Sequence, residues 1–117
     1  MKKLFLFAAL IGFYFFTESC KKCVPMVTID PCDTLSHKFA ADIRPIIINR
    51  CSSSPFCHPA GSVNSGGPFT NYTQIFNKRA EIKIAVSTGS MPPAPATLPD
   101  DEKKKILCWI DGGAPNN

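Results

Sequence analysis

The sequence predicts a mainly α-helical domain with long Gly/Pro-rich loops, set behind an N-terminal export signal. Apolar residues recur at helical spacing near residue 40 and again near residue 106. The stretches between are dense in Ser, Gly and Pro, which break regular structure. The first residues follow the charge-then-apolar layout of a segment that is removed. The expected organisation is a signal over 1–19, a tether over 20–38 and one folded domain over 39–117.

The signal begins with Lys2 and Lys3 and continues through a 13-residue apolar run, Leu4 to Phe16. That run is too short for an ordinary membrane span. Thr17-Glu18-Ser19-Cys20 follows, a loose version of the site at which bacterial lipoproteins are cleaved and lipidated on Cys. Thr17 stands where Leu is usual and Glu18 where a small residue is usual. Lipidation of Cys20 is the expectation, and ordinary cleavage after Ser19 is the alternative. Cleavage before Cys20 takes 19 residues off the 117 and leaves 98, with the net charge falling from +4 to +3. So mild a charge identifies no partner. Lys103-Lys104-Lys105 reads as a solvated helix face, and no aromatic residues interleave with it to stack bases, so no nucleic-acid partner is expected. A chain this short builds only a modest core and relies on a covalent or cofactor staple.

The tether, with Pro25, Pro31, Cys23 and Cys32, has no helical period. A first helix is expected from Phe39 to Arg50, on the spacing of Phe39, Ile43, Ile46, Ile47 and Ile48. Pro45 is tolerated only in a first turn, so the helix either starts near Asp42 or carries an irregularity there. Cys51 to Pro68 is loop, with Gly61, Gly66 and Gly67 as breakers. So long a loop in a small domain needs something packed against it. Asn71 to Phe76 reads as a short helix opening at Thr70 or Asn71. Lys78 to Ser87 reads as a second helical piece or, on its β-branched content, a strand. Thr88 to Pro99 holds four prolines and is irregular. Asp100 to Gly112 is a helix, with acids at its positive end, an apolar stripe of Ile106, Leu107, Trp109 and Ile110, and Gly112-Gly113 to end it.

The chemistry concentrates at Cys51, Cys57 and His58, with Met91-Pro92-Pro93 further on. A Cys-spacer-Cys-His run holds a haem through two thioether bonds, and the adjacent His becomes an axial ligand of the iron. Met91, in a proline-stiffened loop, is the candidate for the other axial ligand. The spacer is Ser52-Ser53-Ser54-Pro55-Phe56, five residues where the usual motif has two. A longer spacer can bulge outward and still bring both thiols in, and Pro55 limits the shapes of the bulge.

The order of elements is helix, Cys-spacer-Cys-His, Gly-rich loop, helix, Ser90-Met91-Pro92-Pro93, then a final helix running Leu107-Cys108-Trp109-Ile110-Asp111-Gly112-Gly113-Ala114-Pro115. Over Phe39 to Asn117 this order resembles the small cytochrome c domains of bacterial envelope lipoproteins. The resemblance implies covalent haem c on Cys51 and Cys57, with His58 as proximal and Met91 as distal iron ligand. It implies that the first and last helices cross and pack, with Trp109 in the core beside the macrocycle. It places Pro68 where a loop carbonyl receives the proximal imidazole N–H. The implied task is one-electron transfer between redox proteins of the envelope, with no catalysis at the metal and with a lipid anchor in the membrane, facing the periplasm or the cell exterior. An accessory domain that docks to a larger oxidase or dehydrogenase fits the same resemblance. Crossing of the outer helices would also bring Cys32 to Cys108 for a disulfide, and Cys23 with Cys32 is the competing pair.

Other readings of the same residues stay open at this level. Cys51 and Cys57 can form a disulfide in an exported, cofactor-free binding module, with His58 an exposed loop residue. Zinc prefers shorter spacing between Cys ligands. A Cys57 nucleophile lacks an acid partner and an oxyanion hole in the pattern. Met91 alone reads as core filler, and His37, before the first helix, as a surface residue.

Overall fold

The computed structural model describes Asp30 and residues 32–117; the export signal, Cys20 and Cys23 lie outside the described residues. Among the described residues the protein is helical and contains no strand. Its four helices, in chain order, are α1 over 39–51, α2 Tyr72–Asn77, α3 Arg79–Thr88 and α4 Asp100–Asp111. None of them is long and apolar enough to cross a membrane.

α1 carries the irregularity that Pro45 foreshadows. Wide π-helical turns at Phe39–Ile43 and Ile47–Cys51 flank a single α-helical stretch, Arg44–Ile46. Proline has no N–H for the carbonyl four residues back, and its ring crowds that carbonyl, so the preceding turn opens. Accordingly the N–H of Ile43 reaches the carbonyl of Lys38 at 3.1 Å, and that of Arg44 reaches Phe39. The free N–H groups at the start of α1 find partners far along the chain. Asn117 accepts from Phe39 through its side chain (2.9 Å) and from Ala40 through its carbonyl (2.8 Å). Asp42 accepts from the Lys38 N–H (2.9 Å) and the Ser36 hydroxyl (2.7 Å).

α2 opens at Asn71, whose side chain accepts from the Gln74 N–H at 3.0 Å. Gln74 in turn accepts from the N–H and hydroxyl of Thr70. The segment that reads as helix or strand is helix α3, closed by Gly89 in the left-handed conformation (φ 72°). Its β-branched Ile82 and Val86 lie one turn apart and are both buried, while Ile84 points outward and is 65% exposed. Packing of that stripe overrides the local strand preference.

α4 contacts both α3 and the first half of α1. Ile106 and Trp109 are fully buried, and Phe39, Ile43 and Ile47 face them from α1. The Phe39 ring lies 5.6 Å from Trp109 and meets Tyr72 edge-on at 5.0 Å. The Trp109 indole N–H donates to the Pro115 carbonyl at 2.9 Å, and the Tyr72 hydroxyl to the Ala114 carbonyl at 3.0 Å. The chain past α4 is thereby held over the aromatic cluster. Cys32 and Cys108 form a disulfide with a Cα separation of 5.4 Å across 76 residues of sequence. It ties the lead-in to α1 onto the buried face of α4, and a loop of that size contributes about 2–5 kcal/mol.

Trp109→Ala removes the largest fully buried side chain and leaves the Pro115 carbonyl without its donor. Equilibrium denaturation should register a loss of about 3–5 kcal/mol. A neutral substitution would mean that α4 does not close this core.

Candidate functional site

Cys51 is the last residue of α1, and its side chain packs against the core at the point where the helix ends. The spacer then swings outward. The Cys57 N–H bonds to the Ser54 carbonyl (2.9 Å) and the Phe56 N–H to the Ser54 hydroxyl (3.2 Å), and Phe56 stands 89% exposed at the tip. The chain returns at once: the His58 N–H donates to the Cys51 carbonyl at 2.9 Å. The bulge therefore brings the second Cys and the His back to the first. Both thiols are free and half-buried rather than paired in a disulfide. Burial pushes the Cys51 thiol up to about 11, helped by the neighbouring Cys57 sulfur and then by the Glu102 carboxylate.

His58 is buried, not an exposed loop residue. Its Nδ1 lies 2.8 Å from the Gly67 carbonyl. A carbonyl only accepts, so Nδ1 carries the proton and the lone pair of the neutral ring sits on Nε2. Nε2 has no hydrogen-bond partner among the described residues. The resemblance implies the Pro68 carbonyl as the partner of the ring; the observed one is a residue earlier. Gly67 takes a positive φ of 77°, and its N–H bonds back to the Asn64 carbonyl at 2.7 Å, and this turn supplies the Gly67 carbonyl to the ring. One face of the imidazole stacks on Phe69, with 4.3 Å between centroids and 23° between planes.

The backbone around the His is held as closely as the ring. The Phe69 N–H donates to the His58 carbonyl (2.9 Å), and the Ser52 hydroxyl lies within reach of the carbonyls of both His58 (2.9 Å) and Phe69 (3.2 Å). The Cys57 carbonyl accepts from the Ser62 hydroxyl (2.8 Å) and the Asn64 amide (2.6 Å). Arg50, beside Cys51, makes a two-pronged contact with Glu102 in the first turn of α4, at 2.9 and 3.0 Å. None of Ser52, Asn64, Phe69 or the Arg50–Glu102 pair is signalled by the sequence, apart from the Gly66-Gly67 doublet that marks the turn.

Met91 is not core filler: it is 45% exposed and outside the buried cluster. Its loop is pinned to the end of α3 by the Met91 N–H and the Ser90 hydroxyl, both on the Ala85 carbonyl. No hydrogen bond joins it to His58 among the described residues. His37 is not a free surface residue. It is half-buried, its Nδ1 donates to the Leu35 carbonyl (2.7 Å), and its Nε2 lies close to Gly112 at the end of α4. Among the described residues no three His, Cys, Asp or Glu side chains converge on one point.

The Cys51 thiol gives a pH-dependent stability. Its folded value is raised to about 11 from an ordinary 9.0, so the contribution is complete below the lower value and is lost as pH climbs to the upper one. In the haem-free chain, the unfolding free energy from equilibrium denaturation should fall between about pH 9 and about pH 11, by on the order of 2–3 kcal/mol. Cys51→Ala should remove that decline; an identical pH profile in the variant would place its cause elsewhere. In comparisons with known proteins, this chain matches no protein-family model, no curated protein and no solved structure.

Proposed function

We propose that this protein is a one-electron carrier of the bacterial cell envelope, a cytochrome c-like domain with covalent haem c and His/Met axial ligation. The observation that carries the reading is His58, buried with Nδ1 donating to Gly67 and Nε2 unpartnered, next to two free thiols. A metal-ligating histidine donates its other ring N–H to a fixed acceptor, as Nδ1 does here, and Nε2, which has no protein partner among the described residues and is not sealed from the surface, is left accessible to an incoming ligand. The contact of α4 with α1, and the order of helices around the site, support the cytochrome c-like architecture.

In this reading Cys51 and Cys57 would hold the haem covalently, each through one thioether bond. His58 Nε2 and Met91 Sδ would be the iron's two protein ligands. The bound group supplies a one-electron iron couple, and the thioether ligand raises its potential. Ligation by both His58 and Met91 would leave the metal no site for substrate, which favours electron transfer over catalysis. Its partners are envelope redox proteins, including a larger oxidase or dehydrogenase to which it can serve as an accessory domain. A lipid on Cys20 anchors it to the membrane, facing the periplasm or the cell exterior. The alternative is a disulfide-stapled exported module without cofactor, and the Cys32–Cys108 bond would serve that equally.

Protein produced with a c-type maturation system should keep its colour through acid-acetone extraction and show an intact mass raised by one haem. Met91→Ala should then lose the weak far-red sulfur-to-iron band of the oxidised form and lower the potential. Colourless protein from such cells favours the cofactor-free module. An unchanged far-red band in Met91→Ala assigns the sixth position to another residue.

The anchor is tested separately. Labelled palmitate should enter the wild type and not Cys20→Ala. Equal labelling of the two, or none in either, leaves a soluble exported protein.

A further inference from the structure

Phe69 is buried, and its ring stacks on the His58 imidazole, near-parallel at 4.3 Å. Gly66, at φ 98°, lies at the shared edge of the two rings, where a Cβ would meet Phe69 Cζ at 3.2 Å and His58 Cε1 at 3.7 Å. The side chain that Gly66 lacks is the space the phenyl ring uses. The backbones of Phe69 and His58 are joined directly by the Phe69 N–H to the His58 carbonyl, and Ser52 reaches both carbonyls. The stack is thus set by paired backbone, not by chance contact of two mobile rings.

The Gly67 carbonyl restrains one atom of the imidazole, Nδ1. A single hydrogen bond leaves the ring free to tilt about the line to its acceptor. A planar neighbour on one face removes that freedom, because tilting drives the ring edge into the phenyl. We propose that Phe69 is a positioning residue that fixes the plane of the His58 imidazole, with Gly66 providing its slot. This rests on the reading of His58 as an iron ligand. The two restraints act on different degrees of freedom: Gly67 sets the tautomer, and Phe69 sets the plane in which Nε2 presents its lone pair.

The test uses side-chain nitrogen NMR of His58 in the full, haem-free chain, where orientation is read without any metal. In wild type, His58 should give a single set of ring signals, with Nδ1 protonated and its proton protected from exchange. Phe69→Leu should broaden or split those signals and speed Nδ1–H exchange several-fold. Phe76→Leu makes the same chemical change beside Tyr72, outside the Phe39–Trp109 contact, and should leave His58 as in wild type. Phe69→Met also removes the planar neighbour and decides the matter if Phe69→Leu does not fold. A wild-type His58 pattern in the Phe69 variant that folds, or an equal disturbance from Phe76→Leu, overturns the proposal. In haem-loaded protein, Phe69→Leu should retain its haem by mass yet shift the paramagnetic haem-methyl signals, which report the ligand plane. Retained haem with unmoved methyl signals would sink the positioning role alone. A wild type that takes up no haem sinks the carrier reading, while the haem-free measurement still decides whether Phe69 orients the ring.

Discussion

Burial of the Trp109 indole against Phe39 sets the positions of the outer helices and, through them, of the loop that carries the thiols and the imidazole. Both residues are almost completely withdrawn from water, at 0% and 4% exposure, and they join the first helix to the last across 70 residues of sequence. Burying two rings of this size supplies a large share of the apolar area available to so small a domain. The contact sets the direction of α1, and so the point at which that helix stops. Cys51 is at that point. The polar end of the indole matters as well, since its N–H holds the Pro115 carbonyl and draws the chain beyond it back to Asn117, which caps α1. Loss of the indole would loosen both ends of α1 together.

From Cys51 onward the site is built of backbone hydrogen bonds more than of packing. Residues 51–69 contain no helix beyond the end of α1, yet the loop is closed by His58 on Cys51, Phe69 on His58 and Gly67 on Asn64. Ser52, Ser62 and Asn64 satisfy the carbonyls that the turns leave over. A Ser-rich spacer, unremarkable as composition, is therefore the part of the chain that lets a five-residue excursion return to its start. The result is a buried histidine with one nitrogen committed and one bare, beside a thiol that burial keeps protonated.

The staples divide between the two halves of the domain. The Cys32–Cys108 disulfide secures the α1–α4 side, where the hydrophobic core already lies. The loop side buries Phe69 and His58, and it leaves Phe56 and Val63 almost fully exposed. In the carrier reading, covalent haem is the second staple and stands on the side that lacks one, a division typical of chains too short for a single sufficient core.

Much of this fold is legible in the residues. The apolar spacing of α1 and α4, the capping Asn71, the terminating Gly112-Gly113 and the four prolines of 88–99 act through nearest neighbours along the chain, so local physics determines them. The disturbance at Pro45 is local in the same sense, because a missing N–H affects the turn before it. The chemical types at the site, two thiols and an imidazole in a fixed order, are also present in the sequence alone. Tertiary structure decided what depends on distant partners. It decided that Ile82 and Val86 form a helix face, since burial against α4 outweighs their strand preference. It decided that Cys32 pairs with Cys108, that His37 tucks against the end of α4, and that Met91 stays outside the core. Above all it decided the carbonyl and the ring that hold His58. A turn with two positive-φ glycines supplies the Gly67 carbonyl, and the stacking of Phe69 on the imidazole is a contact between residues eleven apart. Neither can be read from spacing, because both depend on how the loop closes in three dimensions.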